Sequence, residues 1–297
     1  MFRNKTIPLI SIIMPTYNRA IFLMETIESI RQQTYSEWEL HVIDDGSEDN
    51  TEEVISSIND KRIHFYKAGR IGVLGKLKNL GLYRSKGALI AFMDSDDLWA
   101  ADKLAKQLAA FNKYPDAGFC LTGGYSFRKL KEPVDYYYKD QEGERYGDLL
   151  LPFFQSEIAA LMPSLIFRRE CLPLTGKFIE GRVFSDIAFM LKLASGFKGV
   201  VLYEPLIYRR LHPGNTTNDN WELGYTEYIS LVGEYGKSGA LPSNVKRNIL
   251  FKLYINYGEK CLVKKIKLKA AHNFFRAWLN KPLSVVPIRK LVKTILR

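Results

Sequence analysis

The chain has 297 residues, 46% hydrophobic and 25% charged, enough for one large domain or two modest ones and unlike any disordered, collagen-like or mucin-like composition. Its three cysteines, Cys120, Cys171 and Cys261, include no CxxC pair, which argues against a disulfide framework or structural zinc and for a reducing compartment. The net charge of +11 is uneven: residues 246–297 hold 14 Lys and Arg against one acid, Glu259, so the rest of the chain is near neutral. Such asymmetry points to an anionic partner, whether nucleic acid, membrane or acidic protein.

Leu9–Met14 is a short apolar, β-branched run that reads as a buried strand ending at Pro15. After the polar Thr16-Tyr17-Asn18, Leu23, Ile27 and Ile30 predict a helix over Ala20–Gln33. Trp38–Ile43 reads as a second strand, stopped by Asp44-Asp45-Gly46-Ser47, and Asn50–Ile58 as a second helix. Arg62–Tyr66 is a third strand, and the glycine-rich Gly69–Gly75 leads into a helix at Lys76–Arg84. Ala88–Met93 is a fourth strand, ending in Asp94-Ser95-Asp96-Asp97, and Ala101–Asn112 is a helix closed by Tyr114-Pro115. This order predicts a mostly parallel sheet with helices on both faces and ligands beyond the carboxyl ends of its strands. From residue 116 the pattern is less regular. Gly118–Phe127 reads as a strand, Glu132–Arg145 as a polar loop, Ser164–Phe167 as a short strand, Asp186–Ser195 as an amphipathic helix, Val200–Arg209 as a strand, and the tail from Val245 as helical.

Acids at the end of a buried strand are held rigidly. In Asp94-Ser95-Asp96-Asp97, alternate carboxylates can share one cation, and Mg²⁺ or Mn²⁺ accepts such oxygens together with phosphate. Three acids in four residues repel one another without a cation, although Asp97 alone could be a helix cap. Asp44-Asp45 ends another strand and can accept hydrogen bonds from a nucleoside, while Asp-Gly is also a common turn pair. There is no GxGxxG and no Walker pattern, which argues against dinucleotide and P-loop chemistry. His212, in Tyr208-Arg209-Arg210-Leu211-His212-Pro213, reads either as a surface or capping residue or as a ligand of a metal or diphosphate. Ser47, Ser95 and Cys120 have no recognisable nucleophile system around them.

Three ordered motifs resemble the family-2 glycosyltransferases of the GT-A fold: Ile12-Ile13-Met14-Pro15-Thr16-Tyr17-Asn18-Arg19, then Val42-Ile43-Asp44-Asp45-Gly46-Ser47 with Asp49-Asn50-Thr51, then Phe92-Met93-Asp94-Ser95-Asp96-Asp97-Leu98-Trp99. The resemblance covers residues 7–112 and, more loosely, 160–217. It implies an α/β fold with a mostly parallel central sheet and a C-terminal helical segment, and an inverting, metal-dependent transferase using a nucleotide-diphosphate sugar. By position it implies that Pro15, Thr16, Tyr17 and Asp44 or Asp45 line the nucleoside pocket. Arg70 would contact the base, Asp94 would reach the ribose or sugar with Ser95 beside it, and Asp96 would hold Mn²⁺ or Mg²⁺ on the diphosphate. Asp186 takes the place of the acceptor-side general base. Tyr208-Arg209 through His212 resembles a segment closing over the diphosphate, with His212 as a second metal ligand. The chain departs from the family at Lys78-Asn79, where Arg-Asn is usual, and at Ser185-Asp186, where Glu-Asp is usual.

These readings divide the chain into a transferase domain over 1–220, with a nucleotide-sugar half (7–115) and an acceptor half (116–220), and a basic helical extension over 221–297. The resemblance implies a glycan or lipid-linked acceptor, in surface polysaccharide or glycolipid synthesis. In the tail, Ile288, Leu291, Val292, Ile295 and Leu296 recur at helical spacing, with Arg289, Lys290, Lys293 and Arg297 on the other side. Such a helix either lies on an anionic membrane or packs on the body. No nucleic-acid motif accompanies the charge, so a nucleic-acid partner is not expected. Ile7–Met14, broken by Pro8 and Ser11, is too short to span a membrane and no signal-peptide pattern follows it. The expected location is cytoplasmic, with peripheral attachment to the inner face of the cell membrane. Two other readings carry less. A nucleotidyltransferase would need a glycine-rich phosphate loop where Pro15-Thr16-Tyr17-Asn18-Arg19 stands, and a non-catalytic nucleotide-sugar-binding or scaffold protein sits badly with an intact Asp94/Asp96 pair.

Overall fold

The computed structural model describes residues 7–129, 132–181, 184–214 and 221–295. The chain opens with β1 (Ile10–Thr16), α1 (Ala20–Arg31), β2 (Trp38–Asp44), α2 (Thr51–Ser56), β3 (Ile63–Lys67), α3 (Leu74–Arg84) and β4 (Leu89–Phe92). There follow β5 (Leu98–Trp99), α4 (Lys103–Lys113), β6 (Ala117–Phe127), β7 (Pro133–Tyr136), β8 (Glu144–Gly147), α5 (Leu150–Phe154), β9 (Ile166–Arg168), α6 (Leu172–Thr175), α7 (Ser185–Gly196) and β10 (Lys198–Arg210). Four helices come last: α8 (Trp221–Lys237), α9 (Ser243–Val263), α10 (Lys267–Asn280) and α11 (Val285–Ile295).

One sheet runs β3-β2-β1-β4-β9-β6-β10-β5, with β7 added to β6 and β8 to β10. Pairing is parallel from β3 through β4 and again between β6 and β10, while β9 runs antiparallel to both β4 and β6. The expected mostly parallel sheet is therefore mixed in its second half. A strand as short as β9 has no periodicity that encodes direction; the open edges of its two neighbours set it.

Alternation along the strands sorts the helices onto two faces. Ile10, Ile12 and Met14 of β1, with Leu89 and Ala91 of β4, pack with Leu23, Ile27 and Ile30 of α1, Ile55 of α2, and Leu104 and Phe111 of α4. Ile13 points the other way, onto α3, where a Cβ on Gly81 would stand 2.3 Å from Ile13 Cγ2, so only glycine lets that helix approach. Phe92 lies on this second face, its ring centroid 5.2 Å from Phe178 and 6.4 Å from Phe189 of α7.

The strand β1 continues through Pro15 and Thr16 rather than ending before them. Pro15 alternates onto the side that faces β4, as does Ile13, whose carbonyl accepts from Met93 N–H at 3.0 Å. The β4 pairing ends with Phe92 opposite Ile13, so the missing proline N–H costs no ladder bond. Glu132–Arg145, expected as a loop, contains β7 and the start of β8. These take their order from the edges of β6 and β10 and from ring contacts, Tyr125 with Tyr136 at 5.4 Å and Tyr114 with Tyr146 at 4.2 Å. The helices α5 and α6 lie where the spacing gave no helix, while α8 falls within the extension expected to be helical, ahead of the periodicity that starts at Val245.

The chain forms two compact units. Met1–Phe153 with Ile158–Asn215 contains the sheet, and Phe154–Glu157 with Thr216–Arg297 is helical, with a core of Tyr257, Cys261, Ala270 and Phe274. Helix α11 splits the stripe expected of the tail: Leu291 packs against this core, whereas Ile288 and Val292 are exposed. Leu296, Arg297 and the Ile295 side chain lie outside the described residues. Among the described residues no helix is long and apolar enough to cross a membrane.

Lys103 of α4 is fully buried, its Nζ 3.9 Å from the Trp99 ring centroid and donating to Gln107 Oε1 at 2.7 Å. Gln107 in turn donates to the carbonyls of Ser164 and Cys120, tying α4 to β6 and to the approach to β9. Burial pulls the Lys103 amine down to about 7. Between there and roughly pH 10, where a solvated lysine titrates, the unfolded chain holds a proton that the folded chain has released, so this group makes stability rise with pH. Lys103→Met lacks that dependence. Urea unfolding should show the wild type gaining on Lys103→Met as pH rises through this window; parallel pH profiles would contradict it.

Candidate active site

The strands β1 and β2 pair with Thr16 opposite Asp44, so their carboxyl ends are level, and Asp45 N–H donates to Thr16 O at 2.9 Å. The chain then turns at Gly46, with φ of +75° and a position where a Cβ would meet Arg70 N at 2.9 Å. Asp44 accepts the N–H groups of Gly46 and Ser47, each at 3.2 Å. Asp45 Oδ1 accepts Ile71 N–H at 2.6 Å and Gly72 N–H at 3.0 Å, and Oδ2 pairs with Arg70. Both acids are buried, Asp44 bound into its own turn and Asp45 to the loop at residues 70–72. The Arg70 guanidinium is thereby held over the Tyr17 ring, 3.9 Å from its centroid, with 54% of its side chain exposed. A flat cationic and aromatic surface of this kind can stack a heteroaromatic ring. Pro15 and Thr16, the last residues of β1, are buried beside it in sequence.

Beyond β4, Asp94 and Asp96 are partly buried, while Ser95 and Asp97 are buried. Asp96 Oδ2 lies 2.9 Å from His212 Nε2 and 3.3 Å from Arg19 Nε. Arg19 also donates to Gly214 O at 2.8 Å, and the Phe22 ring stands 4.6 Å from that of His212. Gly214 N–H donates to His212 Nδ1 at 3.2 Å, so a neutral His212 carries its proton on Nε2, toward Asp96. Asp97 is structural rather than a cap. It accepts Arg210 N–H at 2.9 Å, its carbonyl accepts the Thr26 hydroxyl at 2.9 Å, and burial holds its carboxyl well above the usual range. Arg210 also donates to Asp96 O at 2.9 Å and to Glu25 at 2.6 Å. Burial raises the Asp94 carboxyl to about 6; Asp96 and Asp186 push the same way, and Lys78 and Arg209 oppose them.

Asp186 stands in the first turn of α7, whose N-cap, Phe184, makes no side-chain capping bond. Neither Ser185 nor Asp186 is therefore the cap. Instead Lys78 Nζ donates to Asp186 Oδ1 at 2.6 Å, and Ser185 Oγ donates to the same oxygen at 3.5 Å. The Lys78 side chain is 0% exposed and lies among Phe178 and Phe92, 5.4 and 5.9 Å from their ring centroids. Asn79 clasps the backbone of Phe178 through Nδ2 and Oδ1, at 3.0 and 2.9 Å. The departure at Lys78-Asn79 thus keeps a cation on the acid and a clamp on the segment ahead of α7. Sequence reasoning missed Arg19, Lys78 and Arg210 as site residues. The one available signal was a basic residue inside each quoted motif or segment.

Residues 11–166 match the family model of glycosyl transferase family 2. Over 218 residues the chain is 29% identical to the putative teichuronic acid biosynthesis glycosyltransferase TuaG of Bacillus subtilis, covering 72% of this chain and 84% of TuaG. The structure of S. aureus TarS 1–349 in complex with UDP is similar with a TM-score of 0.67 at 18% identity, over 96% of this chain and 88% of that one. The mannosyltransferase PcManGT from Pyrobaculum calidifontis, in complex with GDP-Man and Mn²⁺, has a TM-score of 0.57 at 19% identity, over 97% and 79%. Identities this low establish the shared GT-A fold alone.

The Lys78–Asp186 pair is testable as a pair. Removing only Lys78 leaves a partly buried carboxylate without its cation, so Lys78→Met should cost about 1–3 kcal/mol in urea unfolding. In Lys78→Met/Asp186→Leu the loss should be clearly smaller than the sum of the two single losses. Additive losses would mean that the contact contributes nothing.

Proposed function

The chain belongs to glycosyltransferase family 2, and from that membership we propose that it moves a sugar, with inversion, from a nucleotide-diphosphate donor to a hydroxyl of a glycan or lipid-linked acceptor. The product would enter a surface polysaccharide or glycolipid. The observation that supports the reading is that Lys78 links the two groups of acids: its Nζ donates to Asp186 Oδ1 at 2.6 Å and stands 5.9 Å from the ring of Phe92, the last residue of the strand that leads into Asp94 and Asp96. The similarity to TuaG, a putative glycosyltransferase of teichuronic acid biosynthesis, supports the polysaccharide part, and the UDP held by TarS supports the nucleotide part.

On this reading the Arg70–Tyr17 surface takes the base. Asp44 and Asp45 act through the loops they brace, since their oxygens already accept backbone N–H groups. Pro15, Thr16, Asp94 and Ser95 shape the rest of the donor pocket.

Asp96 and His212 fit a divalent cation, Mn²⁺ or Mg²⁺. Their donor atoms stand 2.9 Å apart, close to the ~3 Å that separates adjacent ligands on an octahedral ion with ~2.1 Å bonds. Ligation through Nε2 needs the His212 proton on Nδ1, in place of the Gly214 contact. Among the described residues no group of three or more His, Cys, Asp and Glu forms a cage. Such ions, when they also bind substrate phosphates and water, take only one or two protein carboxylates. The cation would neutralise charge on the departing diphosphate, and PcManGT holds Mn²⁺ beside GDP-Man. Arg19 and Arg210 add fixed positive charge on the same side.

Asp186 accepts the acceptor's hydroxyl proton as that oxygen bonds to the anomeric carbon and the diphosphate leaves from the opposite face. Lys78 fixes the carboxylate through Oδ1.

Hydrolysis of a panel of nucleotide sugars with Mn²⁺ present tests the activity. Asp96→Ala should reduce turnover to background with little change in Tm, because the side chain sits in a polar loop. Full activity of that variant under a chelator would remove the metal role. Asp186→Asn keeps an oxygen for Lys78 but removes the base, so transfer should fall by about 10²–10⁴-fold. The donor-induced rise in Tm should persist, because the donor pocket lies on the first four strands. Near-normal transfer would move the base elsewhere.

A further inference from the structure

Helix α10 is apolar on two opposite sides. Ala270, Phe274 and Ala277 are buried in the second unit, with Phe274 in its core. Leu268, Phe275 and Leu279 recur at i, i+7 and i+11, within about 20° of a single line down the other side. They are 89%, 45% and 50% exposed. The end of α9 and the turn into α10 add exposed Val263 and Ile266, and the turn after α10 adds the fully exposed Leu283. A lone exposed leucine is ordinary; a stripe along a whole helix marks an interaction face.

Charge selects the occupant. Residues 246–297 carry 14 Lys and Arg and one acid, and that acid, Glu259, is already paired with Lys290. Lys264 and Lys265 are exposed at the turn into α10, and Arg289 and Lys293 are exposed on α11 next to Ile288 and Val292. A second copy of this unit would bring like charges together. An anionic bilayer instead takes the apolar stripe at its acyl boundary and the cations at its headgroups. We propose that the exposed face of α10, with the exposed side of α11, is an interfacial docking surface for an anionic lipid bilayer. It extends the acceptor part of the reading above, on which its biological sense rests, to a surface in the other unit.

Flotation of the full chain with vesicles tests this. The wild type should float with a two-to-one mixture of phosphatidylcholine and phosphatidylglycerol. It should bind pure phosphatidylcholine at least about tenfold more weakly, since each basic residue near an anionic surface contributes about fivefold. Leu268→Ser/Phe275→Ser/Leu279→Ser should lose about tenfold or more of the binding, with Tm and donor hydrolysis unchanged. Equal flotation of variant and wild type, or no preference for the anionic vesicles, overturns the proposal. So does a wild type that self-associates, becomes monomeric in the variant and floats in neither form, which assigns the face to a second copy. Donor hydrolysis by the same preparations reports on sugar transfer separately, so either reading can fail alone.

Discussion

The parallel strands β1, β2 and β4 all point their carboxyl ends to one edge of the sheet, and in this chain two of them, β2 and β4, bring acids there. Asp44 and Asp45 follow from β2, Asp94, Asp96 and Asp97 from β4, and Asp186 joins them from α7. Burial raises the Asp94 carboxyl to about 6, and the carboxylates of Asp96 and Asp186 push it the same way. The rest of the site can be understood as the means of holding that charge. Asp44 and Asp45 are satisfied by backbone N–H groups and Arg70, Asp97 by the Arg210 backbone, Asp186 by Lys78, and Asp96 by Arg19 and His212.

These partners differ in what they leave available. The acids of β2 are spent on loop geometry, and their product is the position of Arg70 over Tyr17. Among the described residues the Asp96 carboxylate meets the side chains of Arg19, after β1, and His212, after β10, so these partners can rearrange without unravelling a turn. That difference separates the residues that build the pocket from those that can exchange a protein contact for a cation or a phosphate. Lys78 sits at the other extreme. It is fully buried between aromatic rings, and burying a lysine is costly unless a carboxylate meets it. Its contact with Asp186 therefore constrains α3 and α7 together.

The helical unit follows a different rule. Its core is small, and helices α10 and α11 each spend one side on it. What remains outside combines apolar side chains with an excess of positive charge, 14 Lys and Arg against one acid over residues 246–297. The first 245 residues, by contrast, hold 29 Lys and Arg against 31 acids. The two units therefore present surfaces of different chemistry, one charge-balanced and one suited to an anionic layer.

The sequence by itself determined the first half of the fold and the identity of the acids, because both are local. Strand and helix periodicity in residues 9–113 and the acid clusters after Ile43 and Met93 are written in neighbouring residues. The motif resemblance, which the family match bears out, pointed to the enzyme class by the same local means. Tertiary structure decided what depends on partners distant in the chain. The direction of β9 comes from the edges of β4 and β6, and the strands β7 and β8 exist because β6 and β10 offer them hydrogen bonds. The binding of Asp45 to a loop 25 residues on, and of Asp186 to a lysine 108 residues before it, could not be read from spacing. Nor could the tail: its periodicity shows two apolar directions, and only the packed core of the second unit tells which one, that of Leu291, is buried and which, that of Ile288 and Val292, meets the solvent.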